Sequence, residues 1–485
     1  MAEEPYEGAY TIDQIDRAIT NADAFPEPPE PDPDAAVYQH ETYILTVANG
    51  RWSFDLVKTW TDFTATLSIT APSGATVTVT KDGTTVNTHT ATGSAIEVSV
   101  HETGTYDITA TSGSESASDT VSITTDGQSV SISLAFAHIY GVSWDGSSTT
   151  AWTRTDDAAD FTDPVPYVDG ASSYGSPFDN LLPWSGMTRV TDSEAGEMVR
   201  IPKFWYKITQ SGNGLKIQIA DKETDGFSVS PAHMDRGDGS GERDYVLIGR
   251  YHCASDYKSK TGVSPYNNQT RATFRSGISA LGSKVWMADY AMFWTVRMLY
   301  LVEYANWDSQ SAIGFNAGTV SDHQEEPLPT GTTDTMPYHT GSMRSSRSAY
   351  GQGVQYRYIE DPWGGVMEWV DGWYMDSGRN ISIILDPAKY SDTEGGVTVG
   401  NAPSYGWISG WTIPKVAGYD WALTPVVTDG GGGDSGVADY CNLNGPALYC
   451  GGALVAHAAF GAFYLNANGA SRHGAVIGAR LQKIP

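Results

Sequence analysis

Three cysteines, ten histidines and several acidic clusters are the residues of this 485-residue chain that could make or break bonds. Cys253, Cys441 and Cys450 do not form a disulfide framework, although a Cys441–Cys450 bridge is open to them. A reactive thiolate wants an adjacent base or cation, and His457 is the only nearby candidate for Cys450. The loop His233–Asp244 gathers Asp235, Asp238, Glu242 and Asp244. Gly237 and Gly239 stand where an EF-hand would place ligands, so the loop reads as acidic and solvated. Its Arg236-Gly237-Asp238 triplet reads as coincidence. No histidine pair has zincin spacing, and the chain carries neither a phosphate loop nor a dinucleotide fingerprint. His457 and His473 read as ligand contacts or chance residues rather than metal ligands. The expectation is a protein that is not an enzyme and needs no metal or cofactor.

A different chemistry is written into the C-terminal stretch. From Ala422 to Leu481 there is no Lys, Glu, Gln, Met or Trp, although the chain has 15 Trp and the stretch is flanked by Trp421 and Gln482. It is rich instead in Gly, Ala, Asn, Tyr, His, Cys and Leu. These are residues reachable by changing the first two bases of an Asn codon that ends in a pyrimidine, and the five missing types are not. Such a stretch makes contacts rather than bonds. The candidate ligand-binding residues are Asn442, Leu443, Asn444, Ala453, Val455, Ala456, His457, Ala459, Phe460, Asn468, Arg472, Gly474 and Val476, expected on one exposed face, with Phe460 also open to a core role. Phe463, Leu465, Ile477 and Leu481 are expected to point inward. Gly451, Gly452, Gly461 and Gly478 are expected to permit tight backbone.

Elements must position these residues, and the chain supplies them in three regions. Residues 1–37 form an acidic, Pro-rich arm with ten acids against one Arg, ending in PEPPEPDPD. Thr11–Ala22 suits a short helix, with Thr11 and Gln14 as a capping box and Ile12, Ile15 and Ile19 on one face. A helix so short is marginal alone, so its stripe suggests docking on a partner. Residues 38–135 read as β-strands: ATLSIT, ATVTVT, AIEVSV, TYDITA, DTVSIT and VSISL alternate at period two. Lys81-Asp82-Gly83-Thr84 is a hairpin turn of Asp-Gly type. Residues 136–485 hold the strand IPKFWYKI and a helical pattern from Met287 to Tyr304. In that pattern Tyr290, Phe293, Trp294, Met298, Leu301 and Val302 make a core-facing stripe. The segment GGVMEWVDGWY, Gly364–Tyr374, follows.

These motifs carry a resemblance. The 38–135 pattern resembles the immunoglobulin-like or carboxypeptidase-regulatory-like β-sandwich modules that act as spacers. The 136–485 region resembles the C-type lectin fold in its formylglycine-generating-enzyme-like branch: IPKFWYKI, the Met287–Tyr304 helix, GGVMEWVDGWY, then Gly451-Gly452, GAFYL and IGARL come in the family's order. The terminal segment resembles the variable region of proteins diversified by phage retroelements. The fold class expected is multidomain, an Ig-like sandwich followed by an α+β C-type lectin-like domain with a variable region at about 422–481.

The resemblance implies a phage tail receptor-binding protein, located in the virion at the tail tip or fibre. Its variable face would bind a bacterial cell-surface receptor, and its arm would dock on other tail proteins, in a homotrimer. A bacterial surface or secreted adhesin is the alternative, disfavoured by an N-terminus without a signal-peptide pattern. A formylglycine-type oxidase is disfavoured because Tyr449-Cys450 replaces the family's arginine context. The net charge of −28 excludes a nucleic-acid partner, since phosphate binding needs a basic face. No apolar run approaches membrane-spanning length, so no membrane insertion is expected.

Overall fold

The computed structural model describes residues 39–48, 51–61, 63–113, 115–147, 150–316, 319–321, 324–343, 353–403, 405–428, 439–452 and 461–485; of 39–61, 319–326 and 428 it describes the backbone only. The arm with its Thr11–Ala22 helix lies outside the described residues. The chain separates into two compact units, one ending at Phe136 and the other running Ala137–Pro485. Strand dominates both.

In the first unit, Gln39–Ala48 and Arg51–Thr61 pair antiparallel as a separate ribbon. The six expected strands all form, and they make two sheets. In one, Ala65–Thr70 lies between Ile96–Val100, antiparallel, and Ser129–Ser133, parallel. In the other, Thr76–Lys81 and Gly104–Ser112 are central, flanked by Thr84–Thr90 and Glu115–Ile123. Period-two alternation decides the packing. Leu67, Ile69, Val77, Val79, Val98, Ile108 and Ile132 enter one shared core, and the Thr and Ser between them stay nearer solvent. Asp82 and Gly83 both take positive φ, 51° and 76°, the conformation that a tight two-residue hairpin turn requires.

In the second unit the elements that bear on the site are β1 (Ile139–Trp144), β2 (Trp205–Ser211), β3 (Gly214–Ala220), β4 (Tyr245–Gly249), α1 (Arg271–Ser279), β5 (Val285–Met287) and α2 (Tyr290–Tyr304). They are followed by β6 (Met367–Met375), β7 (Asn380–Ile383), β8 (Tyr405–Thr412), β9 (Thr424–Thr428), β10 (Tyr440–Leu443), β11 (Ala447–Cys450), β12 (Leu465–Asn468), β13 (Ile477–Ala479) and β14 (Leu481–Lys483). The largest sheet runs β7-β6-β11-β12-β10-β8-β9, with Val397–Asn401 beyond β7 and β13 parallel to β6. A second sheet closes on the C-terminus, where β14 lies between β4 and β5.

Two expectations need correction here. The segment Ile201–Ile208 is not one strand: Gly196–Pro202 ends at Pro202, and β2 starts at Trp205 in a different sheet. Pro202 lacks an N–H to extend the ladder, and Phe204 turns wholly into the core. The helix starts at Tyr290 rather than Met287, and its expected core-facing residues are buried together with every other face rather than as a stripe. Residues 285–287 form β5, Asp289 caps the helix by accepting from Met292 N–H at 2.8 Å, and all fifteen residues of α2 are buried. A helix apolar nearly all round is a central helix, and α2 packs against β1, β3 and β6. Its two charged residues are hydrogen-bonded inside, and Glu303 is ion-paired as well. Glu303 accepts from Arg357 and the Tyr356 hydroxyl, and Arg297 donates to the carbonyls of Ala462 and Pro362.

Candidate ligand-binding face

The C-terminal strands are pinned from within. On β10, β11 and β12 the residues Cys441, Leu443, Leu448, Cys450, Leu465 and Ala467 all enter the main core. Phe463, Ile477 and Leu481 are buried as well. Arg480 is fully enclosed; its guanidinium meets Glu368 at 2.8 Å and donates to four backbone carbonyls, of Gly249, Arg250, Glu360 and Asp361. Asp439, buried just ahead of β10, accepts the N–H groups of Gly461 and Phe463. Gly445 fits a turn so close to β12 that a Cβ there would lie 2.2 Å from the Asn468 carbonyl carbon.

The opposite face of the same strands is where the amides and phenols lie. Strand register aligns Tyr405, Asn442, Asn466 and Tyr449 in one row across β8, β10, β12 and β11. Trp407 opposes Tyr440 in the neighbouring row, ring edge to ring face at 5.7 Å. Helix α1 covers this face above β6 and β11: Trp369 donates its indole N–H to Gln269 O at 3.1 Å, and Arg271 reaches the carbonyls of Val370 and Trp373. Trp369 and Tyr449 meet edge-on beneath it at 5.2 Å. Beyond Tyr449 the cover ends. Tyr405 is 58% exposed, and Trp407, Tyr440, Asn442, Asn466 and Asn468 are half-buried.

Hydrogen bonds hold these side chains to one another. Asn466 donates to the Tyr464 hydroxyl at 2.8 Å, Asn444 donates to Asn442 Oδ1, and the Asn468 side chain bonds the Tyr449 hydroxyl. Arg472, exposed on the loop after β12, sits 6.0 Å above the Tyr449 ring. His473 meets Asn268 Oδ1 at 3.0 Å, on the rim of a cavity of about 650 Å³ lined by Ser255, Asp256, Lys260, Tyr266 and Asn268.

The expected binding residues divide accordingly. Asn442, Asn444, Asn468 and Arg472 come together on this face. Gly474 and Val476 lie past it, in the loop held to Asn267 and Asn268, with Val476 half-buried against the α1 core. Leu443 is a correction: it is fully buried, because it alternates with Asn442 and Asn444 and so takes the inner side of β10. Ala453, Val455, Ala456, His457, Ala459 and Phe460 lie outside the described residues. Tyr440 and Asn466 within the biased stretch, and Tyr405 and Trp407 before it, join the open part of this face without having been expected there, while Tyr449 and Tyr464 are buried beneath it. Period-two alternation in YCNLN and YLNAN marks the first group. Only strand pairing brings β8 alongside.

Among the described residues, the groups that could make or break bonds are buried or engaged with neighbours. All three cysteines are buried and unbridged. Burial pushes the Cys441 and Cys450 thiols up to about 12 and Cys253 higher still, so none is a thiolate near neutral pH. Cys441 and Cys450 both register with Leu465 from opposite sides, two strand spacings or ~10 Å apart, which exceeds disulfide reach. Thr340, His339 and Asp179 are ordered as in a hydrolytic triad, at 2.8 and 2.9 Å. Thr340 is wholly buried, however, and its hydroxyl also accepts Arg357 N–H, so no substrate reaches it. Among the described residues no three His, Cys, Asp or Glu side chains converge as a metal cluster. The acids of the 233–244 loop are engaged locally: Asp235 and Asp238 accept the N–H groups of Gly237 and Ser240, and Asp244 pairs with Lys203. Arg236 turns inward to Asp289 and Leu385 O, so the Arg-Gly-Asp triplet is not displayed as a unit.

Neither known protein families nor curated proteins give a match to this chain.

Proposed function

We propose that this protein is a phage tail receptor-binding protein whose C-terminal face, diversified by a retroelement, binds a ligand on the bacterial surface. On this reading the larger unit is C-type lectin-like, the smaller an Ig-like spacer, the arm an attachment to other tail proteins, and the assembly a homotrimer in the virion. One observation carries it. The stretch limited to residues of pyrimidine-ended codons folds with Tyr440, Asn442, Asn444, Asn466, Asn468 and Arg472 towards the outside and Cys441, Leu443, Leu465 and Ala467 inside. Outward positions on a pinned scaffold can change at little cost, because surface substitutions usually stay within about 0.5 kcal/mol. A rigid frame with a variable face is how binding loops work on other scaffolds.

The buried, protonated thiols weigh against the oxidase reading, because a redox cysteine needs thiolate character and access. The test of the main reading is genomic. An adenine-rich near-copy of the segment coding for 422–481, beside a reverse transcriptase gene, is expected. A locus with neither removes the diversification argument.

A further inference from the structure

The exposed part of this face differs from the rest of the molecule in charge. The chain carries 57 acids, yet the outward residues of β8, β10 and β12 are Tyr405, Trp407, Ser409, Tyr440, Asn442, Asn466 and Asn468, with no Asp, Glu, Lys, Arg or His among them. Arg472 is at the edge. A charged epitope or an acidic polymer would find almost no complementary charge here, and the overall charge of −28 would repel a polyanion.

What the face offers is aromatic ring surface beside hydrogen-bonded amides. That pairing suits a ligand with apolar C–H faces and a rim of hydroxyls. The geometry points to a neutral glycan as the ligand, with Tyr405 and Trp407 as its fixed aromatic anchors; this inference rests on the binding-face reading above. The residues divide by role. Tyr405 and Trp407 precede the biased stretch, and Trp is a residue that stretch never uses, so the two rings stay constant while the amides beside them vary. The rows Tyr405–Asn442–Asn466 and Trp407–Tyr440 cross strands spaced ~4.8 Å apart, about the width of a sugar ring, so ring and amide fall under successive sugars. Rings supply contact area at low entropic cost, and the amides set which hydroxyl pattern is accepted.

The experiment has two arms, both on the full chain. Fluorescent protein is applied to an array of neutral hexose and N-acetylhexosamine oligosaccharides, with uronate-containing ones as charged controls. The same protein is applied to a panel of bacterial strains, untreated, periodate-treated or protease-treated. Neutral glycans are expected to bind, periodate but not protease to abolish cell labelling, and Tyr405→Ala or Trp407→Ala to weaken both by roughly tenfold or more. Tyr405 is exposed enough for its variant to keep the wild-type melting temperature, which guards against a folding artefact. Binding to charged glycans alone, loss of labelling with protease alone, or labelling that ignores both substitutions overturns the glycan assignment and leaves the receptor-binding reading standing. If no strain and no glycan is labelled, both readings fall.

Discussion

At the residue scale, the same strand holds residues of opposite duty one position apart. Leu443→Ala should cost about 2–5 kcal/mol, as deletion of buried Leu side chains does, and Trp369→Ala about 3–5 kcal/mol. Arg472→Ala should leave the melting temperature within about a degree of wild type and reduce ligand or cell binding instead. Thermal melts and binding on the same three variants check the division; a melted Arg472 variant would show that its role was misassigned. Glu368 gives a pH prediction. Burial pushes its carboxyl up, but Arg480 and His252 outweigh that and hold it at about 2, below its ordinary 4.5. A depressed carboxylate contributes stability that is complete above the unfolded value and is lost as pH falls through the folded one. Melting temperature should therefore drop between about pH 5 and pH 2, and Glu368→Gln, less stable at pH 7, should show a shallower drop. Equal slopes for the two proteins would count against the pair.

At the element scale, α1 is what divides the sheet face into covered and open halves. Its hold is electrostatic as well as apolar. Arg275 makes a two-pronged pair with buried Asp371, both contacts at 2.7 Å, and Arg271 reaches Asp392 at 2.7 Å. Removing one partner of such a pair strands a charge, so Asp371→Ala should cost about 3–5 kcal/mol. Hydrogen exchange should show α1 losing protection before the central α2 helix; uniform loss across both would refute a local role. Gly445→Ala tests the turn between β10 and β11. The Cβ has no room beside Asn468, so either β12 shifts or the turn opens, at about 1–3 kcal/mol. Binding should fall too, because β12 carries Asn466 and Asn468.

At the whole-molecule scale, one face of amides and rings gives weak contact with any single ligand, and linked copies convert that into avidity. The proposed trimer should appear in size-exclusion chromatography with light scattering as three times the chain mass at micromolar concentration and physiological salt. A strict monomer under those conditions removes the claim. Truncation before residue 39 should lower the oligomeric state if the Ile12, Ile15 and Ile19 stripe is the docking element, and leave it unchanged if the folded units associate by themselves.

The sequence determined whatever depends on local periodicity and local chemistry. Val and Ile at every second position settled the six strands of the first unit, the Asp82-Gly83 pair settled its hairpin, and the helical spacing of Tyr290, Phe293, Trp294, Met298, Leu301 and Val302 settled the presence of α2 but not its start. A missing set of residue types, which no packing rule produces, sets 422–481 apart by composition alone. Alternation also held the answer for Leu443, since a residue between two asparagines on a strand must face away from them. Only the tertiary structure decided that Tyr405 and Trp407 join a face built some forty residues later, that α1 covers half of it, and that Arg480 and Asp439 fix it from below. Those facts rest on pairings between strands and loops far apart in the chain. A one-dimensional pattern says which way each side chain points, and contact across the fold says what it meets there.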